Sequence, residues 1–453
     1  MAAPLIGGIL DQIIEAGRRL LSQQSSPAAA GTGLDALCTR VLAQRGEATA
    51  LAAASELAAR LEHLTPAEET KFFQTLATRF GADREKILAA AEAYRQEESP
   101  AHLRQLGEAV EAPRQELLRR LNMAPGGTGA IVHLRERLLG RLAEDPALRA
   151  VDADFQHLLG SWFNRGFLYL ERIDWDSPAS LLEKIKRYES VHEIATWSDL
   201  RRRLAPDRRC FAFFHPALKD EPLIFIEVAL GRELAASIQP IIDPDASALD
   251  PATATHAIFF SINNSLTGLR GISFGNFLIK QVVVELQREL PQLKTFATLS
   301  PIPSFRGWLG SGLASKPGLD LEPSEQQALS VLLQKPAIDS VDLAPLRDTL
   351  IGLCARYLGG PRPADPVARF HLGNGARLER INWLGDVSAK GMQQSFGMLV
   401  NYYYDLDNLE LNHEAFAEEG KVALSKELAR LLAAKPRPKA RPNDKTPAIV
   451  TGR

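Results

Sequence analysis

The chain has 453 residues and carries 53 Lys or Arg against 55 Asp or Glu, so its formal net charge is -2. This balance and a hydrophobic content of 45% are typical of a globular protein of two or three domains, and they argue against a nucleic-acid-binding protein, which is usually basic. The three cysteines lie far apart without CxxC spacing, so we expect neither a disulfide scaffold nor a zinc ribbon. No apolar run reaches the roughly 20 residues of a membrane helix, so we expect no membrane partner. Together these features predict a cytoplasmic location.

The first third of the chain has the pattern of helices. Apolar residues recur with a helical period over residues 5–21, which predicts an amphipathic structural helix, and residues 23–33 have the composition of a linker. The helical pattern continues from residue 34 to about 168, and Thr65 to Glu68 form a capping box with proline at the first helical position. We therefore predict an all-α helical bundle over residues 1–170, a kind of domain that often mediates oligomerisation.

The pattern changes near residue 171, where short β-rich runs begin. The predicted strands cover residues 210–215, 223–230, 256–262, 295–300 and 376–383. An amphipathic helix is predicted over residues 276–290. Residues 171–434 are therefore predicted to form a mixed α/β domain. The last residues, 435–453, are rich in proline, lysine and arginine, which predicts a disordered basic tail.

A glycine-rich loop lies between the strand at 256–262 and the helix at 276–290. Its glycines would let the backbone approach a ligand, and the helix N-terminus presents free N–H groups, a combination that binds phosphate. The loop lacks the GxGxxG and GK[ST] fingerprints, so a glycine-rich loop without a ligand stays open as the alternative. The order of strand, loop, helix and strand is similar to the acyl-CoA-binding core of the GNAT acetyltransferase superfamily, although the spacing from Arg270 to Gly275 departs from the usual one.

Three further segments carry candidate site residues. Ser300 precedes two prolines in the sequence LSPIP, which can stiffen a loop and fix the direction of one hydroxyl. His371 lies just before a Gly-Asn-Gly sequence, which we interpret as a tight hairpin turn. The tyrosine run at 402–404 is typical of core packing. Taken singly, each of these features is more often structural than catalytic.

Together these segments resemble the malonyl-CoA decarboxylase family. The phrases SLTGLRGISFGNFLIKQVVVELQRELPQL, LSPIPSF, PVARFHLGNGARLERINW and NYYYDL carry the resemblance, with ERIDWDSPASLLEKI and RRCFAFFH nearer the N-terminus. The resemblance implies a helical N-terminal domain for tetramerisation and a GNAT-like mixed α/β catalytic domain. It also implies decarboxylation of malonyl-CoA to acetyl-CoA and CO2.

Carried over residue by residue, the resemblance implies a catalytic serine at Ser300, a catalytic histidine at His371 and an active-site tyrosine at Tyr404. The malonyl-CoA-binding loop falls on Arg270, Gly271, Ile272, Ser273, Phe274, Gly275 and Asn276. Family members carry a glutamate that supports the catalytic pair where this chain has a serine at 273. We therefore expect another carboxylate, such as Glu227 or Asp386, to orient the serine or the histidine.

The chemistry of the reaction sets what each residue has to do. Loss of CO2 leaves an enolate, which needs preorganised donors and then a proton at C2. We expect Ser300 to bind the malonyl carboxylate or the thioester, and His371 to protonate the enolate because the pKa of histidine lies near working pH. A partial exchange of these two roles stays open. The thioester is the electron sink, so we expect no metal and no other cofactor.

The 3′-phosphate of CoA calls for a cation, and the sequence offers several. The candidates are Arg201, Arg202, Arg203, Arg208, Arg209, Lys280 and Arg306. Two other functions are compatible with the sequence: a GNAT-type N-acyltransferase, and a non-catalytic malonyl-CoA sensor or scaffold.

Overall fold

The computed structural model of the chain describes residues 3–24, 33–272, 278–315, 319, 321–335 and 338–433. The predicted tail at 435–453 and most of the predicted linker at 23–33 therefore lie outside the described residues. Among the helices that are described, none is both long enough and apolar enough to cross a membrane.

The N-terminal part of the chain is helical, as predicted. Its helices are α1 (Ala3–Gln24), α2 (Leu34–Ala43), α3 (Glu47–Glu62), α4 (Pro66–Thr78), α5 (Arg84–Gln96), α6 (Pro100–Val110), α7 (Pro113–Met123), α8 (Gly127–Leu139) and α9 (Arg149–Trp162). The predicted capping box begins α4: the Thr65 side chain accepts from the Glu68 N–H, and the Glu68 carboxylate accepts from the Thr65 N–H. Two otherwise unpaired N–H groups of the first turn are satisfied in this way.

Strands and helices alternate in the rest of the chain. The elements are β1 (Tyr169–Ile173), α10 (Ala179–Tyr188), α11 (Trp197–Arg203), β2 (Arg208–Phe214), β3 (Ile224–Gly231), α12 (Gln239–Ile242), β4 (His256–Asn264), α13 (Leu278–Glu289), β5 (Thr295–Thr298), β6 (Ser300–Pro301), α14 (Phe305–Ala314), α15 (Pro323–Gln334), α16 (Ser340–Leu343), α17 (Arg347–Gly359), α18 (Pro366–Gly373), β7 (Arg377–Asn382), α19 (Ala389–Ser395), β8 (Leu399–Tyr403), α20 (Leu409–Glu419) and α21 (Lys426–Ala433). Each predicted strand has a counterpart here, and the helix predicted over 276–290 is α13.

The strands of the described residues form one sheet, in the order β1-β2-β3-β4-β5-β8-β6, with β7 paired to β8. β1 is antiparallel to β2, with Tyr169 opposite Phe214. β4 and β5 are parallel, with His256 opposite Thr295, because α13 connects the end of one strand to the start of the other. β8 is antiparallel to β5, β6 and β7. The strand–helix–strand unit expected from the sequence is therefore present as β4, α13 and β5.

The chain divides into two compact units that interleave along the sequence. The first unit is Met1–Ala195, Cys210–Ile226 and Ile262–Val282. The second unit is Thr196–Arg209, Glu227–Ser261 and Val283–Arg453. Strands β2, β3 and β4 each begin in one unit and end in the other.

Each unit has its own buried apolar side chains. In the first unit they come mainly from the helices and include Phe72, Phe73, Leu134 and Phe155. In the second unit a cluster beside the sheet consists of Ala229, Ile238, Ile241, Ile258, Phe260, Ala297, Leu299 and Leu399. Burial of such side chains is the main favourable term in folding.

The predicted fold class, a helical N-terminal region followed by a mixed α/β domain, is confirmed by this order of elements. The domain boundaries at residues 170 and 434 stay a prediction.

Candidate active site

Ser300 lies where two short strands meet. β5 ends at Thr298, and the next residue, Leu299, is part of the buried apolar cluster beside the sheet. Ser300 begins β6, where it pairs with Val400 of β8. The strand predicted over 295–300 is therefore interrupted at its fifth residue. Pro301 has no N–H to donate, so β6 is short and the chain soon leaves the sheet for α14. The serine side chain is buried.

His371 lies in the last turn of α18, and the predicted hairpin turn after it is wrong. Asn374 caps the C-terminus of α18, and Gly375 follows with φ of 81°. A glycine in the left-handed region suits a helix C-terminus as well as a hairpin, so the sequence did not distinguish them. A Cβ atom at Gly375 would lie 2.1 Å from the carbonyl oxygen of Leu409, so only glycine fits this position.

Tyr404 follows the last residue of β8. Side chains alternate along an extended chain, so Tyr402 and Tyr404 point to the same side while Tyr403 points to the other. Tyr402 and Tyr404 are buried and Tyr403 is half-buried. The Tyr402 ring stacks on the His371 ring, with centroids 4.7 Å apart and planes at 25°.

A continuous series of hydrogen bonds joins these side chains. The Tyr404 hydroxyl lies 2.8 Å from Nδ1 of His371, and Nε2 of His371 lies 3.1 Å from Oγ of Ser300. Oγ of Ser300 lies 2.9 Å from Oγ1 of Thr298, which also accepts from the Tyr402 N–H at 3.1 Å. We call Tyr404, His371, Ser300 and Thr298 the hydroxyl–imidazole chain. It brings together all three predicted catalytic residues, from segments that are up to 104 residues apart.

Burial decides the charge of the histidine in this chain. His371 is 3% exposed, and desolvation lowers its pKa to about 3. Desolvation also raises the pKa of Tyr404 well above its usual 10. The imidazole and the phenol are therefore both neutral at pH 7, which differs from the expectation that the pKa of His371 lies near working pH.

A neutral imidazole fixes the direction of the protons along the chain. When Ser300 donates its proton to Thr298, Nε2 of His371 carries the hydrogen and donates to Ser300, and Nδ1 accepts from Tyr404. The reversed order has Nδ1–H donating to Tyr404 and Ser300 donating to Nε2. Each order satisfies both ring nitrogens, and the two differ in the tautomer of the imidazole and in the orientation of the hydroxyl groups.

Neither carboxylate expected to replace the missing glutamate orients the histidine. Among the described residues, both ring nitrogens of His371 bond hydroxyls. Glu227 is buried in an ion pair with Arg203, at 3.0 Å. The Asp386 carboxylate accepts from the side chain of Gln239 and from a backbone N–H of the following turn.

Most of the candidate cations for the 3′-phosphate are engaged within the protein. Ion pairs with carboxylates hold Arg202, Arg203, Arg208 and Arg209. Arg306 donates to the backbone carbonyls of residues 333 and 335. These arginines have structural partners, so the expectation that they bind phosphate is weakened for each, and Arg201 and Lys280 stay predictions.

The predicted malonyl-CoA-binding loop is described only in part. Ser273, Phe274, Gly275 and Asn276 lie outside the described residues. Arg270 has φ of -58° and ψ of 130°, Gly271 has φ of 80°, and the Ile272 N–H donates to the Leu269 carbonyl at 3.0 Å. These values define a type II turn with glycine at its third position, which requires a positive φ.

The comparisons with known proteins now assign the chain. Residues 166–442 match the family described as "Malonyl-CoA decarboxylase C-terminal domain", and residues 80–163 match "Malonyl-CoA decarboxylase N-terminal domain". The chain belongs to the malonyl-CoA decarboxylase family. The resemblance predicted from the sequence is confirmed.

Several members of the malonyl-CoA decarboxylase family are similar along most of their length. "Malonyl-CoA decarboxylase, mitochondrial" of Anser anser anser is 38% identical over 380 residues, which is 75% of this chain and 75% of that protein. The crystal structure of malonyl-CoA decarboxylase from Rhodopseudomonas palustris has a TM-score of 0.84 at 49% identity and covers 88% of this chain and 98% of its own. The one from Agrobacterium vitis has a TM-score of 0.83 at 50% identity and covers 88% and 100%.

Two residues that adjoin the predicted catalytic residues were missed by sequence reasoning. Thr298 was read only as part of a strand, although a hydroxyl two residues from Ser300 on an extended chain lies on the same side. Asp365 is fully buried; its carboxylate accepts from Val367 and Ala368 N–H at the start of α18 and from the Ser304 N–H. Asp before Pro is a helix-start signal that could have revealed it. Asp365 thus ties the helix that carries His371 to the turn that follows Ser300.

Proposed function

We propose that this chain decarboxylates malonyl-CoA to acetyl-CoA and CO2, and that Ser300, His371 and Tyr404 act on the malonyl group. Membership of the malonyl-CoA decarboxylase family supports the reaction. The single observation that supports the residues is the hydroxyl–imidazole chain, in which a buried neutral histidine lies between two hydroxyls.

The neutral histidine changes the expected division of roles. Breaking the bond between C2 and the carboxylate releases CO2 and leaves the electron pair on the thioester enolate. The enolate carbon is a stronger base than an alkoxide, so the Ser300 hydroxyl is acidic enough to protonate it. His371 then returns a proton from Nε2 to Ser300, and Tyr404 donates its hydroxyl proton to Nδ1 of His371. Each turnover consumes one proton, which water supplies to Tyr404.

The same arrangement explains how the site stabilises charge. A hydroxyl held in place by two hydrogen bonds needs little reorganisation when negative charge develops on the thioester oxygen. In a water-poor pocket such a donor is worth more than it is in water. The thioester itself accepts the electrons, so the proposal needs neither a metal nor an organic cofactor.

The remaining expectations belong to this proposal as well. The loop from Arg270 to Asn276 binds the phosphates of CoA through its backbone, as the resemblance implies. The helical part mediates assembly into a homotetramer. A cytoplasmic location agrees with three cysteines that are all buried and form no disulfide within the described residues.

One assay tests the proposed function against its alternatives. The chain is incubated with malonyl-CoA in D2O without any acyl acceptor, and the products are measured by mass spectrometry. We expect acetyl-CoA that carries one deuterium in its methyl group, together with one CO2 per turnover. Binding of malonyl-CoA without turnover would instead identify a sensor, and product formation only with an added amine would identify an acyltransferase. Ser300→Ala is the control for background decarboxylation.

A further inference from the structure

A buried arginine of the helical part holds the backbone of the glycine-rich loop. Arg135 lies on α8 and is 1% exposed. Its Nη1 donates to the Gly268 carbonyl at 2.6 Å and to the Arg270 carbonyl at 2.9 Å. Its Nε donates to the Asp152 carboxylate at 2.8 Å, and the Gln156 amide fixes the other oxygen of that carboxylate. All of these residues belong to the first compact unit.

The loop also touches the helix directly. A Cβ atom on Gly268 would lie 2.0 Å from the Val132 carbonyl oxygen, so only glycine lets the turn at Thr267–Leu269 pack this closely on α8. Burying a guanidinium is costly unless it is paired and its N–H groups are used. Asp152 neutralises the charge of Arg135, and the two loop carbonyls accept from its Nη1.

The bond to Arg270 acts on the central peptide of the turn at residues 269–272. Arg270 and Gly271 are the central residues of the type II turn, and the peptide between them differs by half a rotation between type II and type I turns. Glycine permits either orientation. In a planar trans peptide the C=O and the next N–H point in opposite directions. With the Arg270 carbonyl held by Arg135, the Gly271 N–H must point away from the helix.

We propose that Arg135 is a positioning residue for CoA binding: it fixes the turn at residues 269–272 so that the Gly271 N–H faces the phosphates of the ligand. Asp152 fixes Arg135 in turn. The inference rests on the proposed function, because only there does this loop bind CoA. It assigns to the helical part a role in the affinity for CoA as well as in assembly.

The helical part offers a matched control. Arg114 is 6% exposed, pairs with Asp154, and donates to the carbonyls of Leu76 and Ala150, none of which is in the loop. Arg114→Met and Arg135→Met therefore remove a buried, paired guanidinium of the same kind. Only the second change releases the turn at residues 269–272.

The test compares the two variants in the full-length protein. Calorimetry gives the dissociation constant of CoA, steady-state kinetics give KM and kcat for malonyl-CoA, and thermal melting gives Tm. Arg135→Met should raise the dissociation constant and KM by about ten-fold, the worth of one charge-assisted hydrogen bond, with kcat little changed. Arg114→Met should lower Tm as much while leaving both constants unchanged. Arg135→Lys keeps the positive charge but loses the planar set of guanidinium N–H donors. Its dissociation constant for CoA and its KM should therefore lie between those of Arg135→Met and the wild type.

A second measurement keeps the inference separate from the proposed function. Hydrogen–deuterium exchange of the ligand-free protein should be faster at residues 266–272 in Arg135→Met than in Arg114→Met. If Arg135→Met does not fold, Gly268→Ala replaces it in the test, because the added Cβ displaces the same turn from α8. Gly268→Ala should raise the CoA dissociation constant by a similar factor. Unchanged CoA affinity together with unchanged exchange in a folded variant overturns the inference. A wild-type chain that binds no CoA overturns the proposed function itself, and with it the purpose assigned to Arg135.

Discussion

Oγ of Ser300 lies 3.1 Å from Nε2 of His371, and both side chains are buried. On its other side the imidazole faces a phenol hydroxyl rather than a carboxylate. A carboxylate there would favour the imidazolium, whereas a neutral hydroxyl leaves desolvation unopposed, and the pKa of His371 falls to about 3. The histidine of the pair is therefore neutral at pH 7, and in the proposed mechanism the pair passes a proton between neutral groups.

Replacing the histidine tests this arrangement directly. His371→Asn removes the nitrogen that exchanges a proton with Ser300, so kcat for malonyl-CoA should fall by about 10²- to 10⁴-fold, with the secondary structure retained by circular dichroism. The control is His215→Asn. His215 is also buried, but within the described part of the chain its ring forms hydrogen bonds only with backbone groups of residues 162 and 217. Near-normal turnover in His371→Asn would remove the histidine from the proposed mechanism.

The low pKa of His371 also predicts how stability depends on pH. Its pKa in the folded protein, about 3, lies below the ordinary histidine pKa of 6.5, so the unfolded chain binds more protons between these two pH values. Stability from the neutral side chain is fully present above pH 6.5 and is lost as pH falls toward 3. Between pH 7 and pH 5 the wild type should lose about 2 kcal/mol of unfolding free energy that His371→Gln does not lose. Urea unfolding of both proteins at the two pH values measures this difference.

The same pKa predicts a flat activity profile. A catalytic imidazole that must be charged and has an ordinary pKa would make kcat fall as the pH rises through about 6.5. Because His371 stays neutral, kcat of the folded enzyme should vary little between pH 6 and pH 8. A clear inflection near 6.5 that disappears in His371→Asn would contradict the neutral chain.

Two neighbouring tyrosines separate hydrogen bonding from packing. Tyr404 bonds Nδ1 of His371, whereas the buried Tyr402 hydroxyl has no hydrogen-bond partner among the described residues. Tyr404→Phe leaves Nδ1 unpaired and should lower kcat by about ten-fold and stability by about 1–3 kcal/mol. Tyr402→Phe keeps the stacked ring and removes only an unpaired hydroxyl, so kcat should stay near that of the wild type. Equal effects of the two changes on kcat would show that the Tyr404 hydroxyl has no part in the reaction.

The candidate residues of this site were predicted through the resemblance to the malonyl-CoA decarboxylase family, whereas local signals predicted only where some of them lie within elements. The two prolines after Ser300 end a strand, as predicted, whereas Gly375 follows the end of helix α18 and does not lie in the predicted hairpin turn. The alternation of Tyr402 and Tyr404 follows from extended backbone alone. What brings Ser300 to His371 is the pairing of β6 with β8 and the packing of α18, which no local pattern contains.

The protonation state of His371 could not be predicted from the sequence, for a different reason. A pKa depends on how completely a group is desolvated and on which atoms face it. The phrase around His371 contains polar and charged neighbours, yet the folded ring contacts tyrosines and a serine. The carboxylates expected beside it, Glu227 and Asp386, have other partners. Tertiary packing decides which groups face a buried side chain, and the local sequence does not contain this information.

Thr298 offers a test of the far end of the hydroxyl–imidazole chain. Its Oγ1 bonds Ser300 and accepts from the Tyr402 N–H. Thr298→Val keeps the shape but removes that oxygen, so Ser300 loses a fixed orientation, and kcat should fall by about ten-fold. Thr298→Ser restores the hydroxyl and should recover most of kcat at a small cost in stability. If valine supports full turnover, Thr298 has only a structural role.

Asp365 is expected to hold the geometry of the pair from outside it. Its carboxylate caps α18 and also accepts from the Ser304 N–H. Asp365→Ala should lower the free energy of unfolding by about 1–3 kcal/mol, because a cap is lost and a third backbone N–H is left unpaired. It should also lower kcat, because the contact between Ser300 and His371 loosens.

The matched control for that change is Asp83→Ala. Asp83 caps α5 in the same way, by accepting from two backbone N–H groups, but it is exposed and belongs to the helical part. Losing this cap should cost about 1 kcal/mol of stability and leave kcat unchanged. Asp365→Asn keeps one acceptor oxygen for the α18 cap and should recover part of kcat. If Asp365→Ala loses stability without any loss of kcat at a temperature where it is fully folded, the residue stabilises the fold and does not position the pair.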